Sequence, residues 1–165
     1  MDEIKPKSLY FGFGSNLWLD QMKRRCPGST FIGSASLKDW KWIINNRGYA
    51  NVIPSKGHTV YGLMYELTPD DERLLDGFEG VPNSYIKRIL PVDFVAEDEN
   101  GKSETISRVV DALVYVDEKR VTESKPVKEY IHRMNMGITD GIKKGIPKEY
   151  FDQNLRPFIP EELSN

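Results

Sequence analysis

The stretch Ser8–Trp18, SLYFGFGSNLW, decides how this chain is interpreted. Its first half, Ser8–Phe13, is apolar and aromatic and predicts a buried strand. Two glycines interrupt the stretch, and Ser15 and Asn16 then predict the N-cap of a helix that runs through LWLDQMKRRC. Such a junction is either an ordinary tight turn or a loop whose backbone binds a small anion.

Length and composition restrict the class of protein. The 165 residues predict a single domain, 1–165, and the net charge of −2 gives no reason to expect nucleic acid or an anionic membrane as a partner. Cys26 is the only cysteine, which excludes an internal disulfide. The charged start MDEIKPK shows no secretory signal, and no apolar stretch approaches the ~18 residues of a membrane span. We therefore expect a cytoplasmic protein.

The order of strands and helices favours an α+β domain. STFIGSASL and WKWIIN predict two strands, NNRG a turn, and YANVIPS and TVYGLMYELT two further strands, with Gly62 a bulge or a site of close approach. Thr68 and Pro69 predict a helix start. YIKRILPVDFVAE and SRVVDALVYVD predict strands joined across Asn100-Gly101, and VKEYIHRMNMG and KEYFDQNL predict helices near the end.

Glu79, in LLDGFEGVP, is the carboxylate that the helical pattern favours as partly buried. Leu74, Leu75 and Phe78 define an apolar stripe, with Glu79 on its flank and Asp76 on the solvent side. Burial raises a carboxyl pKa and makes the carboxylate a better base near neutral pH. The alternative is an exposed glutamate, or one satisfied by nearby N–H groups.

Several common sites do not fit the sequence. The glycine turn has Leu17 where a dinucleotide-binding fingerprint needs its third glycine, and it lacks the Gly-Lys-Ser/Thr of a P-loop. His58 and His132 have no neighbours at metal-ligand spacing, so we predict no metal site. Cys26, beside a proline at a helix end, is expected to serve packing. Most tyrosines pack in the core of a protein, so a structural role is the default interpretation of each tyrosine in the sequence.

Three motifs in the same order resemble those of the γ-glutamylcyclotransferase family. FGSNL is similar to the family's Tyr-Gly-Ser-Asn, DGFEGV to the helix with the catalytic Glu, and MGITDGIKKGIPKEY to its C-terminal glycine-containing segment. The resemblance covers about Ser8 to Phe158. It implies a small mixed, barrel-like β-sheet with flanking helices. Asn16 is typical of the γ-glutamyl-amino-acid branch, whereas Phe13 replaces the family's usual Tyr.

The resemblance also implies a reaction and a set of site residues. A γ-glutamyl compound would cyclise to 5-oxoproline and release an amino acid or amine, with Glu79 as general base and acid and with no metal or other cofactor. The expected partner is this small molecule, with no nucleic acid and no membrane, and a homodimer stays open. The expected substrate-binding residues are Tyr10, Phe11, Gly12, Phe13, Gly14, Ser15, Asn16, Tyr85 and Tyr130.

Two other functions stay open at this point. Phe13 is compatible with an enzyme of the same fold that acts on a specialised γ-glutamyl biosynthetic intermediate. A module that binds a glutamyl group without turnover is the third possibility. Glu79 argues against it, because a carboxylate adds little affinity for an anionic ligand.

Overall fold

The computed structural model describes residues 7–162 and contains a closed five-stranded barrel with four α-helices. The strands are β1 (Ser8–Gly12), β2 (Thr30–Ile44), β3 (Ala50–Leu67), β4 (Ile86–Ala96) and β5 (Arg108–Val116), in the spatial order β1-β3-β2-β4-β5. The helices are α1 (Leu19–Arg25), α2 (Pro69–Phe78), α3 (Lys128–Lys143) and α4 (Lys148–Asn154). The α+β, barrel-like prediction is confirmed.

Residues 1–6 and 163–165 lie outside the described part of the chain. The interpretation of MDEIKPK therefore falls almost wholly on residues that the structure does not describe, and the single domain 1–165 stays a prediction. Within residues 7–162, no helix has the length and apolar character needed to cross a membrane.

Two long strands replace four short predicted ones. STFIGSASL and WKWIIN form one strand, β2, and YANVIPS and TVYGLMYELT form one strand, β3. The register between them shifts at Lys38/Trp40, where Asp39 has φ +66°, and Pro54 lies in the ladder opposite Trp40. The prediction of separate strands was wrong because a bulge bends a strand without ending it. The NNRG turn is confirmed by a 2.9 Å hydrogen bond from the Gly48 N–H to the Asn45 carbonyl.

The entry into α1 also differs from the prediction. Ser15–Leu17 form a 3-10 turn, and α1 begins only at Leu19, with Trp18 as an N-cap that makes no side-chain cap bond. The predicted N-caps, Ser15 and Asn16, were wrong. Both side chains instead accept hydrogen bonds from the Gln21 amide, so they fix the turn and do not cap the helix.

Helix α2 has a well-defined start. As predicted, Thr68 is the N-cap and Pro69 the first residue. The Thr68 Oγ1 accepts from the Asp71 N–H at 3.1 Å, and the Asp71 carboxylate accepts from the Thr68 N–H at 3.1 Å. This capping box fixes the helix register from its first turn.

The end of α2 places Glu79 at the C-cap. The Val81 N–H donates to the Asp76 carbonyl at 3.1 Å, and the Gly80 N–H donates to the Gly77 carbonyl at 3.2 Å. With Gly80 at φ +64°, these bonds form a Schellman motif. The motif holds the backbone on both sides of Glu79.

The apolar stripe predicted for α2 was wrong. Leu75 is buried, but Leu74 and Phe78 are 47% and 54% exposed. Asp76 does not lie in solvent: its carboxylate accepts a 2.7 Å hydrogen bond from the Tyr115 hydroxyl. The helix is thus fixed to the barrel by one leucine and by polar contacts, a combination that hydrophobic periodicity does not reveal.

Strand β1 closes the barrel. Tyr10 lies opposite Tyr65 of β3 and opposite Leu113 of β5, antiparallel to the first and parallel to the second. Gly62 of β3 permits close approach, because a Cβ there would lie 2.5 Å from the Phe11 ring. Close approach, not a bulge, is therefore the role of Gly62.

Helix α3 packs directly on the 3-10 turn. It extends the predicted VKEYIHRMNMG helix to Lys143, and a Cβ on Gly137 would lie 3.0 Å from the Leu17 Cβ. The glycine therefore lets the helix approach the turn closely. This packing brings Tyr130, two turns earlier on α3, to Ser15. The predicted Asn100-Gly101 turn between β4 and β5 is also confirmed.

Candidate active site

A cavity of about 350 Å³ lies where the end of β1, the end of α2 and the start of α3 meet. It brings together eight of the residues that the sequence predicts for the site, which come from four separate segments of the chain. These residues are Tyr10, Phe13, Gly14, Ser15, Asn16, Glu79, Tyr85 and Tyr130.

Phe11 and Gly12, also expected at the site, do not line this cavity. The Phe11 side chain is fully buried and packs over Gly62. Gly12 is paired with Leu63 in the ladder between β1 and β3. Successive strand residues point to opposite faces, so Tyr10 faces the cavity and Phe11 faces away from it.

Hydrogen bonds fix the loop Phe13–Asn16. The Ser15 N–H donates to the Tyr130 hydroxyl at 3.2 Å, and the Asn16 amide donates to the Tyr10 hydroxyl at 3.0 Å. Gln21 donates to both Ser15 Oγ and Asn16 Oδ1 at 2.9 Å. The loop is therefore held in one conformation before any ligand arrives.

The three predicted tyrosines differ in what they can offer a ligand. The hydroxyls of Tyr10 and Tyr130 accept hydrogen bonds from the loop, so each keeps its own proton for donation. The Tyr85 hydroxyl instead donates to the Ala50 carbonyl at 2.6 Å, which leaves it only acceptor capacity. Burial raises the pKa of all three hydroxyls above the usual value for tyrosine, so they stay protonated.

Within residues 7–162, Glu79 is the one carboxylate that lines the cavity. Burial raises its pKa to about 7, although the nearby guanidinium groups of Arg25 and Arg133 act in the opposite direction. At neutral pH the group is therefore present in both protonation states. A carboxyl group in this condition can both accept and donate a proton.

A family model described as "Gamma-glutamyl cyclotransferase, AIG2-like" matches residues 10–132, most of the chain. The chain belongs to this family. The match includes the loop, Glu79 and Tyr130, which the cavity brings together.

Individual relatives of the cyclotransferase family support the assignment. The chain is 31% identical to the human gamma-glutamylcyclotransferase over 166 residues, which cover 94% of this chain and 81% of that protein. It is 28% identical to the bovine gamma-glutamylcyclotransferase over 107 residues, which cover 59% of this chain and only 55% of that protein. A solved structure described as a gamma-glutamyl cyclotransferase has the same fold, with a TM-score of 0.76 at 21% identity over 96% of this chain and 92% of that one.

The sequence analysis missed three arginines that line this cavity: Arg25, Arg47 and Arg133. The Arg133 guanidinium lies 4.9 Å from the centre of the Tyr130 ring, and Arg25 lies 4.8 Å from that of Phe78. The one available signal is weak: Arg25 follows Gln21 by four residues, so both lie on the same side of α1. That the three arginines line one cavity becomes visible only in the assembled structure.

The histidines and the cysteine lie apart from the cavity. His58 pairs with Ser55, and His132 pairs with Glu162. Within residues 7–162, no three His, Cys, Asp or Glu side chains are grouped to hold a metal ion. Burial and the nearby Asp71 raise the pKa of Cys26 to about 12, so this residue is a thiol and not a nucleophilic thiolate at neutral pH.

Proposed function

We propose that this protein is a γ-glutamylcyclotransferase that converts a γ-glutamyl amino acid to 5-oxoproline and the free amino acid. One observation carries the proposal: Glu79 lines the same 350 Å³ cavity as the loop Phe13–Asn16 and the hydroxyls of Tyr10 and Tyr130. Family membership supports the class of reaction. The choice among γ-glutamyl compounds is part of the proposal.

The proposed reaction is an intramolecular acyl transfer. The α-amine of the substrate attacks its own γ-carbonyl carbon, so a new N–C bond forms within the glutamyl group. The bond from the same carbon to the leaving nitrogen breaks. The attacking ammonium group loses two protons to become the lactam N–H, and the leaving amide N–H gains two to depart as the ammonium group of the free amino acid, so no oxidant, reductant or other reactant is consumed.

Glu79 is proposed to carry protons between the two nitrogens, one at a time. Its ionised form accepts the proton from the ammonium group, and its protonated form then donates to the leaving nitrogen. A pKa raised to about 7 suits both steps. The side chain need not move far, because both nitrogens are bonded to the same carbon in the tetrahedral intermediate.

The loop and the tyrosines are proposed to hold the glutamyl group. Among residues 7–162 neither the Gly14 N–H nor the Asn16 N–H donates to a protein acceptor, so both can bind the α-carboxylate. The hydroxyl protons of Tyr10 and Tyr130 can stabilise the oxyanion that forms on the γ-carbonyl. Holding both ends of the glutamyl chain brings the amine close to the carbonyl carbon.

A direct assay tests this proposal. The purified protein is incubated with γ-glutamyl amino acids, glutathione and γ-glutamyl-lysine, and 5-oxoproline is measured. We expect product from the amino-acid panel and a loss of about 10²-fold or more in kcat for Glu79→Gln. Glu149→Gln, which changes an exposed glutamate in the first turn of α4, is the matched control and should keep full activity.

Two outcomes would contradict the proposal. If a folded sample forms no 5-oxoproline from any of these substrates, the catalytic assignment fails. If wild type and Glu79→Gln then bind a γ-glutamyl ligand equally well, a binding module is favoured. Full activity of Glu79→Gln would show that another group carries the proton.

A further inference from the structure

Two arginines of the cavity lack the carboxylate partner that most arginines of this protein have. Six of the nine arginines form ion pairs: Arg24, Arg73, Arg88, Arg120, Arg133 and Arg156. Arg25 and Arg47 have no acidic partner among residues 7–162, and both line the cavity. A cavity that holds unpaired guanidinium groups is suited to an anionic ligand.

The charge of the cavity is opposite to that of the whole chain. Three arginines and one glutamate line it, so it carries an excess of positive charge even when Glu79 is ionised. The chain as a whole has a net charge of −2. A γ-glutamyl amino acid has two carboxylates and one ammonium group, and it matches this distribution when its ammonium faces Glu79.

The three arginines occupy different places. Arg133 is mostly buried, is paired with Glu129, and donates toward Ser15 Oγ at 3.4 Å and Gln21 Oε1 at 3.3 Å. It therefore supports the loop that is proposed to hold the glutamyl end. Arg25 stacks on Phe78, which is 54% exposed, and so lies at the mouth of the cavity.

Arg25 also lies near Glu79. Its charge, more than that of any other group, opposes the effect of burial on Glu79, and Phe78 is the residue directly before Glu79 in the chain. Arg47 is exposed, and it acts on the pKa of Tyr85 rather than on that of Glu79. Of these two arginines, Arg25 is thus the one nearer Glu79.

We propose that Arg25 determines specificity by binding the carboxylate of the leaving amino acid at the mouth of the cavity. The inference rests on the proposed cyclotransferase activity and deepens it: the preferred substrates are γ-glutamyl compounds whose leaving amine carries a carboxylate close to its nitrogen. Simple amines lack this group and leave Arg25 without a partner. The stacked guanidinium can bind both carboxylate oxygens at once, which an ammonium group on a flexible chain cannot do.

The test compares two substrates that differ only in the charge of the leaving group. γ-Glutamyl-L-alanine has a carboxylate where γ-glutamyl-L-alaninamide has a neutral carboxamide of almost the same shape. The value of kcat/KM for 5-oxoproline formation is measured with both substrates, and their ratio is compared between wild type and Arg25→Gln. This comparison cancels the intrinsic difference between the two leaving groups and any common effect of a changed Glu79 pKa.

We expect Arg25→Gln to lower the carboxylate-to-carboxamide ratio by about tenfold or more, since a hydrogen-bonded charge pair is lost with only one of the substrates. Arg25→Met keeps the apolar part of the side chain on Phe78 and should lower the ratio to the same extent, which guards against a folding defect of the Gln variant. Arg24→Gln, on the neighbouring residue that pairs with Asp20 outside the cavity, should leave the ratio unchanged.

The outcomes separate this inference from the activity on which it rests. If folded wild type forms 5-oxoproline from neither substrate, the proposed function itself fails. If both substrates turn over and the ratio is the same in wild type, Arg25→Gln and Arg25→Met, the role of Arg25 is overturned while the activity stands. An equal loss with both substrates would place the effect of Arg25 on the glutamyl end or on the pKa of Glu79 and would equally overturn the inference.

Discussion

At Glu79 the pKa of a single carboxyl group is set by two opposing effects. Burial raises it to about 7, and the positive charges of Arg25 and Arg133 oppose the rise. The neighbouring guanidinium groups therefore contribute to the pH range in which the Glu79 carboxyl group is ionised. This balance leads to two predictions at the level of the single residue.

The first concerns the pH dependence of the reaction. Because the ionised form of Glu79 is the proposed base, kcat/KM should fall about tenfold per pH unit below pH 7 and level off above it. Arg25→Gln removes a nearby positive charge, so the acid limb should move to higher pH. Arg24→Gln should not move it, and an unchanged limb in Arg25→Gln would show that the titrating group is not Glu79.

The second concerns stability. A carboxyl group whose pKa is higher in the folded than in the unfolded state favours folding less as pH rises between the two values. For Glu79 these are about 7 and 4.5, so the linkage amounts to about 3 kcal/mol. The free energy of unfolding of Glu79→Gln should therefore increase relative to that of wild type as pH increases from about 5 to 8.

Urea unfolding of both proteins at these two pH values measures the difference. Glu149→Gln is again the control, and its stability relative to wild type should depend much less on pH. A Glu79→Gln variant that gains nothing between pH 5 and 8 would contradict the raised pKa.

At the level of the element, the end of α2 sets the position of Glu79. Gly80 has φ +64°, and a Cβ there would lie 2.8 Å from Ser84 Oγ. Gly80→Ala should therefore cost about 1–2 kcal/mol and displace the C-cap, with a loss of kcat. Gly77→Ala is the matched change one turn earlier. Nothing lies within 4 Å of the added methyl group, so it should stabilise the helix by about 0.5–1 kcal/mol.

Urea unfolding and the 5-oxoproline assay, applied to both variants, test this prediction. If Gly80→Ala kept wild-type stability and kcat, the Schellman motif would not be what positions Glu79.

The loop after β1 has a similar contrast between its two glycines. A Cβ at Gly14 would lie 2.9 Å from the Tyr130 hydroxyl and 3.0 Å from the Ala50 Cβ. Gly14→Ala should displace Tyr130, cost about 1–3 kcal/mol and reduce kcat/KM by about tenfold or more. At Gly12 the nearest atoms would be 3.4–3.5 Å from a Cβ, so Gly12→Ala should retain activity.

Kinetics with γ-glutamyl-L-alanine and thermal unfolding distinguish the two glycine variants. Similar behaviour of Gly12→Ala and Gly14→Ala would mean that the close contact between the loop and Tyr130 has no role in catalysis.

At the scale of the whole molecule, the sequence predicted the class of fold better than its details. The helix start at Thr68 and the turns at Asn45–Gly48 and Asn100-Gly101 depend on local chemistry, and they were predicted correctly. The continuity of β2 and β3 was missed, because a bulge at Asp39 and a proline in a ladder resemble strand ends in the sequence. Whether these segments continue depends on pairing across the barrel, which no local pattern contains.

The residues of the candidate site also differ in whether the sequence alone reveals them. The loop glycines stand out in the sequence because they interrupt an apolar strand, and Glu79 was identified chiefly by the resemblance of DGFEGV to the family's helix, since the apolar stripe that also favoured it was wrong. Arg25, Arg47 and Arg133 do not stand out, since arginine is common on exposed surfaces. Only the folded chain brings α1, α3 and the turn between β2 and β3, which carry these arginines, to one cavity. Periodicity also gave the wrong exposed face of α2, where polar contacts with Tyr115 replace apolar burial.

The position of β1 between β3 and β5 has a consequence for the order of folding. The parts of the cavity come from residues as far apart as Tyr10 and Arg133, and β1 pairs with β5 through Tyr10 and Leu113, which are also distant in the sequence. Contacts between distant parts of a chain form late and slowly. After dilution from urea, far-UV circular dichroism should therefore recover before the ability to form 5-oxoproline, and simultaneous recovery would contradict this order. Newly made chains would then pass through a folded-looking stage in which they cannot yet consume substrate.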